Sequence, residues 1–157
     1  MREVRPNHEA AGLKFGLVAA RFNESHVQRL VAAALGVLRS RGAAEADLAV
    51  HWVPGAYELP LAAQWMAKHS APDAILAFGV VIRGETEHFR LVADASCEGL
   101  MRVMLDLGVP VLNGVLAAYD AAQAEARCGG AQGNRGAEIA LAAVAMARLR
   151  AEVAPRG

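Results

Sequence analysis

The sequence predicts an α/β fold, a three-layer sandwich in which a four-stranded parallel sheet is flanked by helices on both faces. Two observations lead to this prediction. Four apolar segments alternate with amphipathic stretches along the 157 residues, and one of them, Ala74–Ile82, is almost wholly apolar. Such a run is typical of a parallel strand covered on both faces, and right-handed crossovers between parallel strands place helices on each face. The predicted arrangement is flavodoxin-like.

Caps and helix breakers set the limits of the first elements. Asn23 can cap a helix, Gly42 follows its end, and Pro60 is tolerated because it falls within the first turn of the second helix. The predicted strands are Leu13–Ala20, Leu48–Val53, Ala74–Ile82 and Val111–Leu116. The predicted helices run from Asn23 to about Ser40, Ala56 to about His69, Phe89 to Leu107, about Asp120 to Arg127, and Asn134 to about Arg150.

Periodicity supports the helices of the second half. Gly108 and Pro110 end the third helix, and the glycine-rich run 129–133 interrupts the chain before the last helix. Side chains recur at helical spacing in the third helix at Val92, Ser96, Leu100, Val103 and Leu107. In the last helix, the same spacing puts Ile139, Ala143 and Met146 on one side.

Composition indicates one globular domain over residues 1–157, with a flexible segment at 1–12. The 16 basic residues balance 16 acidic ones, so the sequence lacks the field that attracts nucleic acid or an anionic membrane, and we expect neither partner. Hydrophobic residues make up 55% of the chain, which favours a subunit interface. Cys97 and Cys128 form no Cys-x-x-Cys pattern, and no apolar run approaches a membrane span, which together indicate a cytoplasmic protein.

Polar and aromatic residues follow all four predicted strands, where parallel α/β sheets bind ligands. The segments are Ala20–Asn23, Val53–Glu58, Val80–His88 and Asn113–Asp120. Because the carboxyl ends of parallel strands meet at one edge of the sheet, their convergence favours a small-molecule site over an ordinary set of loops.

The turn after the third strand carries the strongest signal. Gly84 allows close approach to a ligand, and Glu85 and Thr86 offer backbone N–H groups at a helix N-terminus, which favours an anion such as phosphate. His88 is a residue type whose ordinary pKa, about 6.5, allows proton transfer in both directions. The alternatives are a polar surface loop and, at Glu85-x-x-His88, half of a di-metal site, which would need a second such motif that the chain lacks.

Three other candidates have structural alternatives. Phe22 could stack on a planar heterocycle or simply pack under the start of a helix. The segment Ala56–Glu58 could hydrogen-bond a polar ring or a polyol, or Glu58 could merely complement the helix dipole. Arg127 could bind an anion or stabilise a helix C-terminus. No nucleotide-binding glycine motif is present, which disfavours nucleotide-dependent classes.

Taken together, four segments resemble lumazine synthase over nearly the whole chain. They are Arg21-Phe22-Asn23, Pro54-Gly55-Ala56-Tyr57-Glu58-Leu59-Pro60, Gly79-x-Val81-Ile82-Arg83-Gly84-Glu85-Thr86-x-His88-Phe89 and Gly133-Asn134-Arg135-Gly136. The resemblance implies condensation of 5-amino-6-(D-ribitylamino)uracil with 3,4-dihydroxy-2-butanone 4-phosphate to 6,7-dimethyl-8-ribityllumazine, the penultimate step of riboflavin biosynthesis. It also implies that no cofactor or metal is needed.

The resemblance also implies roles for single residues. His88 would move protons, Phe22 would stack on the pyrimidine, and Glu85 with Thr86 would hold the phosphate. Arg127 would complete the phosphate site from a neighbouring subunit of a homopentamer. The expected substrate contacts are Phe22, Asn23, Ala56, Tyr57, Glu58, Val80, Val81, Ile82, Glu85, Thr86, Asn113, Arg127 and Arg135.

The resemblance extends to assembly. The short connector 129–133 is similar to those of family members whose twelve pentamers form a 60-subunit shell. Riboflavin synthase is a candidate partner.

The chain departs from the family at three places. Asn113 replaces a common phenylalanine, so an apolar wall of the pyrimidine site would become a hydrogen-bonding one. The segment Ala117-Ala118-Tyr119-Asp120 replaces a threonine-rich turn, and Arg135 replaces a common lysine. The competing hypotheses are a flavodoxin-like small-molecule-binding module without turnover and a shell-forming structural protein, the latter being compatible with enzymatic activity.

Overall fold

A computed structural model describes residues 1–154, and the last three residues of the predicted domain lie outside the described part. Four strands alternate with helices as predicted. In chain order the elements are β1 (Phe15–Ala20), α1 (Glu24–Ser40), β2 (Leu48–Val53), α2 (Leu59–His69), β3 (Ala74–Ile82), α3 (His88–Leu107), β4 (Val111–Ala118), α4 (Ala121–Arg127), β5 (Cys128–Gly130), β6 (Gly133–Asn134) and α5 (Arg135–Val153). Short 3₁₀ helices cover Glu45–Asp47 and Ala56–Glu58.

The main sheet is parallel throughout and has the strand order β2-β1-β3-β4. The strand β3 lies between β1 and β4 and is buried from Ala74 to Val81, which explains its apolar sequence. Its pairing with β1 ends at Ala19↔Phe78, whereas its pairing with β4 continues to Ile82↔Ala118. The end of β3 therefore projects beyond β1 and leaves one flank open.

Two hydrophobic cores lie on the two faces of the sheet, which confirms the predicted three-layer architecture. Side chains of α1, α4 and α5 pack with Leu17, Leu76 and Phe78 on one face. Side chains of α2 and α3 pack with Val18, Ile75 and Ala77 on the other. The alternation of β-strand side chains between faces produces this division.

Several predicted boundaries were wrong. The strand β1 begins at Phe15 instead of Leu13, because Gly12 turns the chain at a φ of 75° and the Leu13 N–H donates to Ala10. The strand β4 continues to Ala118 because β3 provides a partner that far. Residues 56–58 form a 3₁₀ turn before α2, and Met146 is 40% exposed, since α5 buries Ala140, Ala143 and Val144 instead.

The break at residues 129–133 is also more regular than predicted. Its residues form the antiparallel pair of β5 and β6, closed by a bond from the Gln132 N–H to the Ala126 carbonyl. The connector is thus a compact hairpin between α4 and α5.

The N-terminal residues pack against α5. The guanidinium of Arg148 donates to the carbonyls of Glu9 and Ala11, each at 2.8 Å, and Ala10 is fully buried. None of the helices within residues 1–154 is long and apolar enough to cross a membrane.

The crossing of α1 and α5 depends on one small residue. A Cβ atom on Gly136 would lie 2.0 Å from the carbonyl oxygen of Leu30, so the two helix backbones are in direct contact there. Such an approach requires glycine, because real Cβ contacts are never that short.

Candidate active site

A cleft of about 500 Å³ lies at the carboxyl ends of β1, β2 and β3, where the projecting end of β3 forms its floor. The cleft is lined by residues that are far apart along the chain, among them Phe22, Ala56, Val80 and His88. The lining is mainly apolar, with Glu58, Thr86 and His88 supplying polar side chains. A planar ligand with a polar edge suits such a lining.

One wall is the turn between β1 and α1. The N–H groups of Arg21 and Phe22 donate to the carbonyls of Val53 and Pro54 at 2.8 and 3.1 Å, which holds this turn against the end of β2. The Phe22 side chain is 73% exposed, so its ring faces the cleft instead of the core. The packing alternative for Phe22 does not fit this exposure. A groove on the other side of Phe22 is lined by Trp52 at the end of β2.

Asn23 does not cap α1 with its side chain, so that prediction was wrong. It occupies the N-cap position with a left-handed φ of 57°, and its Nδ2 donates to the Val80 carbonyl at 2.7 Å. This bond extends the contact between the two strands beyond the point where β1 leaves β3. Asparagine tolerates the left-handed region better than most residues. The bond between Asn23 and Val80 lies where the cleft floor meets the Phe22 wall.

The second wall is the 3₁₀ turn of Ala56, Tyr57 and Glu58. Ala56 is buried against Gly79, where a Cβ atom would approach Ala56 Cβ to 3.2 Å and Leu59 Cδ1 to 3.3 Å. The absence of a side chain at Gly79 lets this turn lie on the strand. Tyr57 and Glu58 are exposed and line the cleft.

The third wall is the turn from β3 into α3. Residues 83–88 are all exposed, and the His88 N–H donates to Thr86 Oγ1 at 3.3 Å. The helix begins at His88, one residue earlier than predicted, so His88 and Val92 lie one turn apart and both line the cleft. Thr86 lines the cleft and Glu85 does not.

Two predicted residues, Arg127 and Arg135, lie together in a different cavity. This cavity has a volume of about 240 Å³ and is also lined by Gln132 and Glu138. Arg135 forms an ion pair with Glu138 at 2.7 Å, and Arg127 donates to the Gln123 carbonyl at 3.1 Å. Two guanidinium groups around a small open space form an arrangement that suits an anion.

Asn113 is placed apart from both cavities. It lies near the start of β4, opposite Ala77 in the sheet, and is exposed. Its Nδ2 donates to Cys97 Sγ at 3.1 Å, and its Oδ1 accepts from the Val115 N–H at 2.9 Å. One N–H of the amide is left for another partner.

Gly84 lines the cleft, as expected from the close approach that a glycine allows there. Sequence reasoning assigned no ligand contact to four other residues that line the cleft: Pro54, Gly55, Phe89 and Val92. The first three of these lie inside the motifs on which the resemblance rests. Val92 had been assigned to the apolar side of α3, and its spacing of four residues from His88 was the available signal. Within residues 1–154, no group of three or more His, Cys, Asp or Glu side chains is arranged to hold a metal ion.

Away from the cleft, Glu125 and Cys128 are among the groups whose pKa the fold shifts. Hydrogen bonds from Arg29 hold the pKa of Glu125 below its ordinary value of 4.5. Burial raises the pKa of the Cys128 thiol. Neither group lines the cleft.

Comparison with known proteins gives a consistent result. The family described as 6,7-dimethyl-8-ribityllumazine synthase matches residues 12–151. A 6,7-dimethyl-8-ribityllumazine synthase of Stenotrophomonas maltophilia strain R551-3 is 53% identical over 136 residues, which cover 87% of this chain and 88% of the relative. The protein of the same name from strain K279a is 52% identical over the same shares of both chains.

Proposed function

The chain belongs to the 6,7-dimethyl-8-ribityllumazine synthase family, and from this membership we infer how its residues share the reaction. The enzyme condenses 5-amino-6-(D-ribitylamino)uracil with 3,4-dihydroxy-2-butanone 4-phosphate. The products are 6,7-dimethyl-8-ribityllumazine, phosphate and water, and the step is the penultimate one of riboflavin biosynthesis. The residue roles that follow are our proposal.

The pyrimidine binds against Phe22, whose exposed ring offers a stacking surface at one wall of the cleft. The backbone groups of Ala56–Glu58 and Val80–Ile82, with the Glu58 carboxylate and Tyr57, hydrogen-bond the polar edge of the ring and the ribityl chain. The apolar lining and the volume of about 500 Å³ support a ligand of this size. Asn23 contributes to the pyrimidine site where the Phe22 wall meets the cleft floor, through its bond to Val80.

The butanone phosphate binds at the turn into α3. Thr86 and the backbone N–H groups after Gly84 lie at the positive end of this helix, which favours a phosphate, and Glu85 contributes through its backbone. His88 lies two residues after Thr86. It takes a proton from the attacking amine and returns one as phosphate leaves. Holding both reactants together supplies much of the rate.

Arg127 and Arg135 act on the cleft of a neighbouring subunit. Their cavity is separate from the chain's own cleft, so a shared site is the arrangement that brings their charge to the phosphate. Asn113 belongs to the same shared side and has one N–H available for the pyrimidine. The observation that carries the proposal is the convergence of Phe22, Thr86 and His88 on one cleft.

Two measurements test these roles. Incubation of the purified protein with both substrates should yield a fluorescent lumazine, whereas a binding module without turnover would yield none. Arg127→Ala should raise KM for the butanone phosphate far more than KM for the pyrimidine, because a charge-assisted bond to phosphate is lost. Equal effects on the two substrates would contradict the role of Arg127.

Co-expression of two variants tests whether the site is shared. Random assembly of His88→Ala and Arg127→Ala subunits should restore about one quarter of the wild-type sites, because each restored site takes its cleft and its arginine from different chains. Mixing the two preassembled variants is the control and should restore none. Co-expressed variants with only the mean activity of the two would place both residues in one chain.

We propose a homopentamer, and a shell of 60 subunits built from twelve pentamers, as the assembly. The compact hairpin of β5 and β6 in the connector is compatible with shell packing. Two unpaired thiols, Cys97 and Cys128, support a cytoplasmic location. Riboflavin synthase, the enzyme of the following step, is the proposed partner, and its co-sedimentation with the assembled enzyme would test this.

A further inference from the structure

Four side chains form a cluster beside the turn into α3. The guanidinium carbon of Arg83 lies 6.0 Å from the ring centroid of Phe89 and 5.9 Å from that of Tyr119. The two rings meet edge to face with their centroids 6.1 Å apart. Glu87 completes the cluster with an ion pair to Arg83 at 3.5 Å. We call these four residues the Arg83 clamp.

The clamp joins three segments of the chain. Arg83 directly follows β3, Glu87 and Phe89 flank the start of α3, and Tyr119 directly follows β4. The Arg83 N–H donates to the Ala118 carbonyl at 2.9 Å, which aligns the two strand ends. The Tyr119 N–H donates to Gln123 Oε1 at 2.9 Å, so its backbone is fixed to α4.

The turn between β3 and α3 has little else to hold it. Residues 83–88 are all exposed, and a Cβ atom on Gly84 would contact nothing within 4 Å, so the turn is not packed on the core. The bond from the His88 N–H to Thr86 Oγ1 is internal to this segment. Among the described residues, the clamp is therefore what ties the side chains of this segment to the rest of the fold.

We propose that Tyr119 is a positioning residue, which acts through Arg83 and Phe89 to hold the turn in the conformation that binds the butanone phosphate. This inference rests on the proposed role of Thr86 and His88. The aromatic face of Tyr119, not its hydroxyl, makes the contact with Arg83.

Replacing the ring tests the proposal. Tyr119→Ala should raise KM for the butanone phosphate by about 2- to 5-fold, the range that one exposed cation–π contact can supply. KM for the pyrimidine should stay unchanged. Backbone amides of residues 83–90 should exchange hydrogen faster in the assembled variant. Tyr119→Phe is the matched control and should retain wild-type KM and exchange, because it keeps the ring.

Other outcomes would overturn the proposal. A loss in Tyr119→Phe equal to that in Tyr119→Ala would assign the effect to the hydroxyl, and unchanged exchange in Tyr119→Ala would mean that the ring does not order the turn. Arg83→Met, which keeps the aliphatic stem, should reproduce Tyr119→Ala. Thr86→Ala tests the proposed phosphate site separately from the role of the Arg83 clamp. If Thr86→Ala leaves KM for the butanone phosphate unchanged, the proposed phosphate site is wrong, independently of the clamp.

Discussion

His88 sits at the first position of α3 with its side chain exposed to the cleft, so its removal leaves the core intact. His88→Ala should lower kcat by roughly 10- to 100-fold, because general acid–base help is one part of the rate and approximation supplies the rest. Steady-state kinetics with both substrates would measure this. His69→Ala, at the exposed end of α2, is the matched control and should leave kcat unchanged. An undiminished kcat in His88→Ala would remove His88 from the mechanism.

At the scale of residues, the sequence indicated which strand ends meet at the cleft but not which single bonds join distant positions. The approach of Phe22, Ala56 and Val80 to one cleft follows from strand ends that share one edge of the sheet. The bond from Asn23 to Val80 spans 57 positions and depends on where β1 leaves β3, which no local pattern records. Arg127 lies in a separate cavity of the single chain, so the expectation that it serves a neighbouring subunit stays a prediction.

At the scale of elements, the contact between α1 and α5 is the most demanding one. Gly136→Ala should destabilise the fold by about 1–3 kcal/mol, because its Cβ would meet the Leu30 carbonyl and force the helices apart. Gly36→Ala, at an exposed position inside α1 with nothing within 4 Å, should instead stabilise the protein by about 0.5–1 kcal/mol. Denaturant unfolding of both variants would measure the difference. Equal free energies of unfolding in the two variants would mean that α5 moves away from α1 without loss of stability.

The ion pair between α1 and α4 makes part of the stability depend on pH. Because Arg29 lowers the pKa of Glu125, the pair stabilises the fold above the ordinary pKa of 4.5, and this contribution is lost as pH falls through the lower folded-state pKa. Glu125→Gln should lower Tm at pH 7, and the difference in Tm should shrink as pH falls below 4.5.

A double mutant provides the control for this pair. Adding Arg29→Met to Glu125→Gln should lower Tm at pH 7 by less than the sum of the single effects, since both remove the same contact. Fully additive losses, or a difference in Tm for Glu125→Gln that does not shrink as pH falls below 4.5, would show that the stabilisation has another origin.

Element type was predicted better than element length. Apolar runs and breakers are local, and they located every strand of the main sheet. The extra residues of β4 exist because β3 extends to Ile82, and Met146 is exposed because α5 turns Ala140 and Val144 toward the core. Both are properties of a neighbour in space, which the segment itself does not encode.

Across the whole molecule, exposed apolar residues are distributed unequally. The layer of α2 and α3 exposes large hydrophobic side chains along its outer side: Leu61, Trp65, Leu91, Met101 and Leu105. The opposite layer exposes Met146 and Val153 within the described residues. An apolar surface of this extent is typical of a subunit interface, so it supports the proposed homopentamer, with α2 and α3 as the expected surface of contact.

A charge on that layer should disrupt assembly. Leu105→Glu should convert the proposed pentamer to smaller species, because Leu105 is 72% exposed in the single chain and a glutamate there would have to be buried on association. Light scattering at neutral pH would measure the mass. Met146→Glu on the opposite layer is the matched control and should retain at least the pentamer. A wild-type monomer would contradict the shared site, whereas a stable free pentamer would contradict only the shell.

The two tryptophans lie on different surfaces of the subunit: Trp52 lines the groove on the other side of Phe22 from the cleft, and Trp65 lies on the outer side of α2. Both indoles are partly exposed, at 39% and 57%. The fluorescence emission of each should therefore change when the indole is shielded from water. Trp65→Phe would leave an optical reporter of ligand occupancy, and Trp52→Phe would leave one of subunit association. The chain therefore carries separate intrinsic fluorophores for ligand binding and for subunit association, and no external dye is required to observe the two independently.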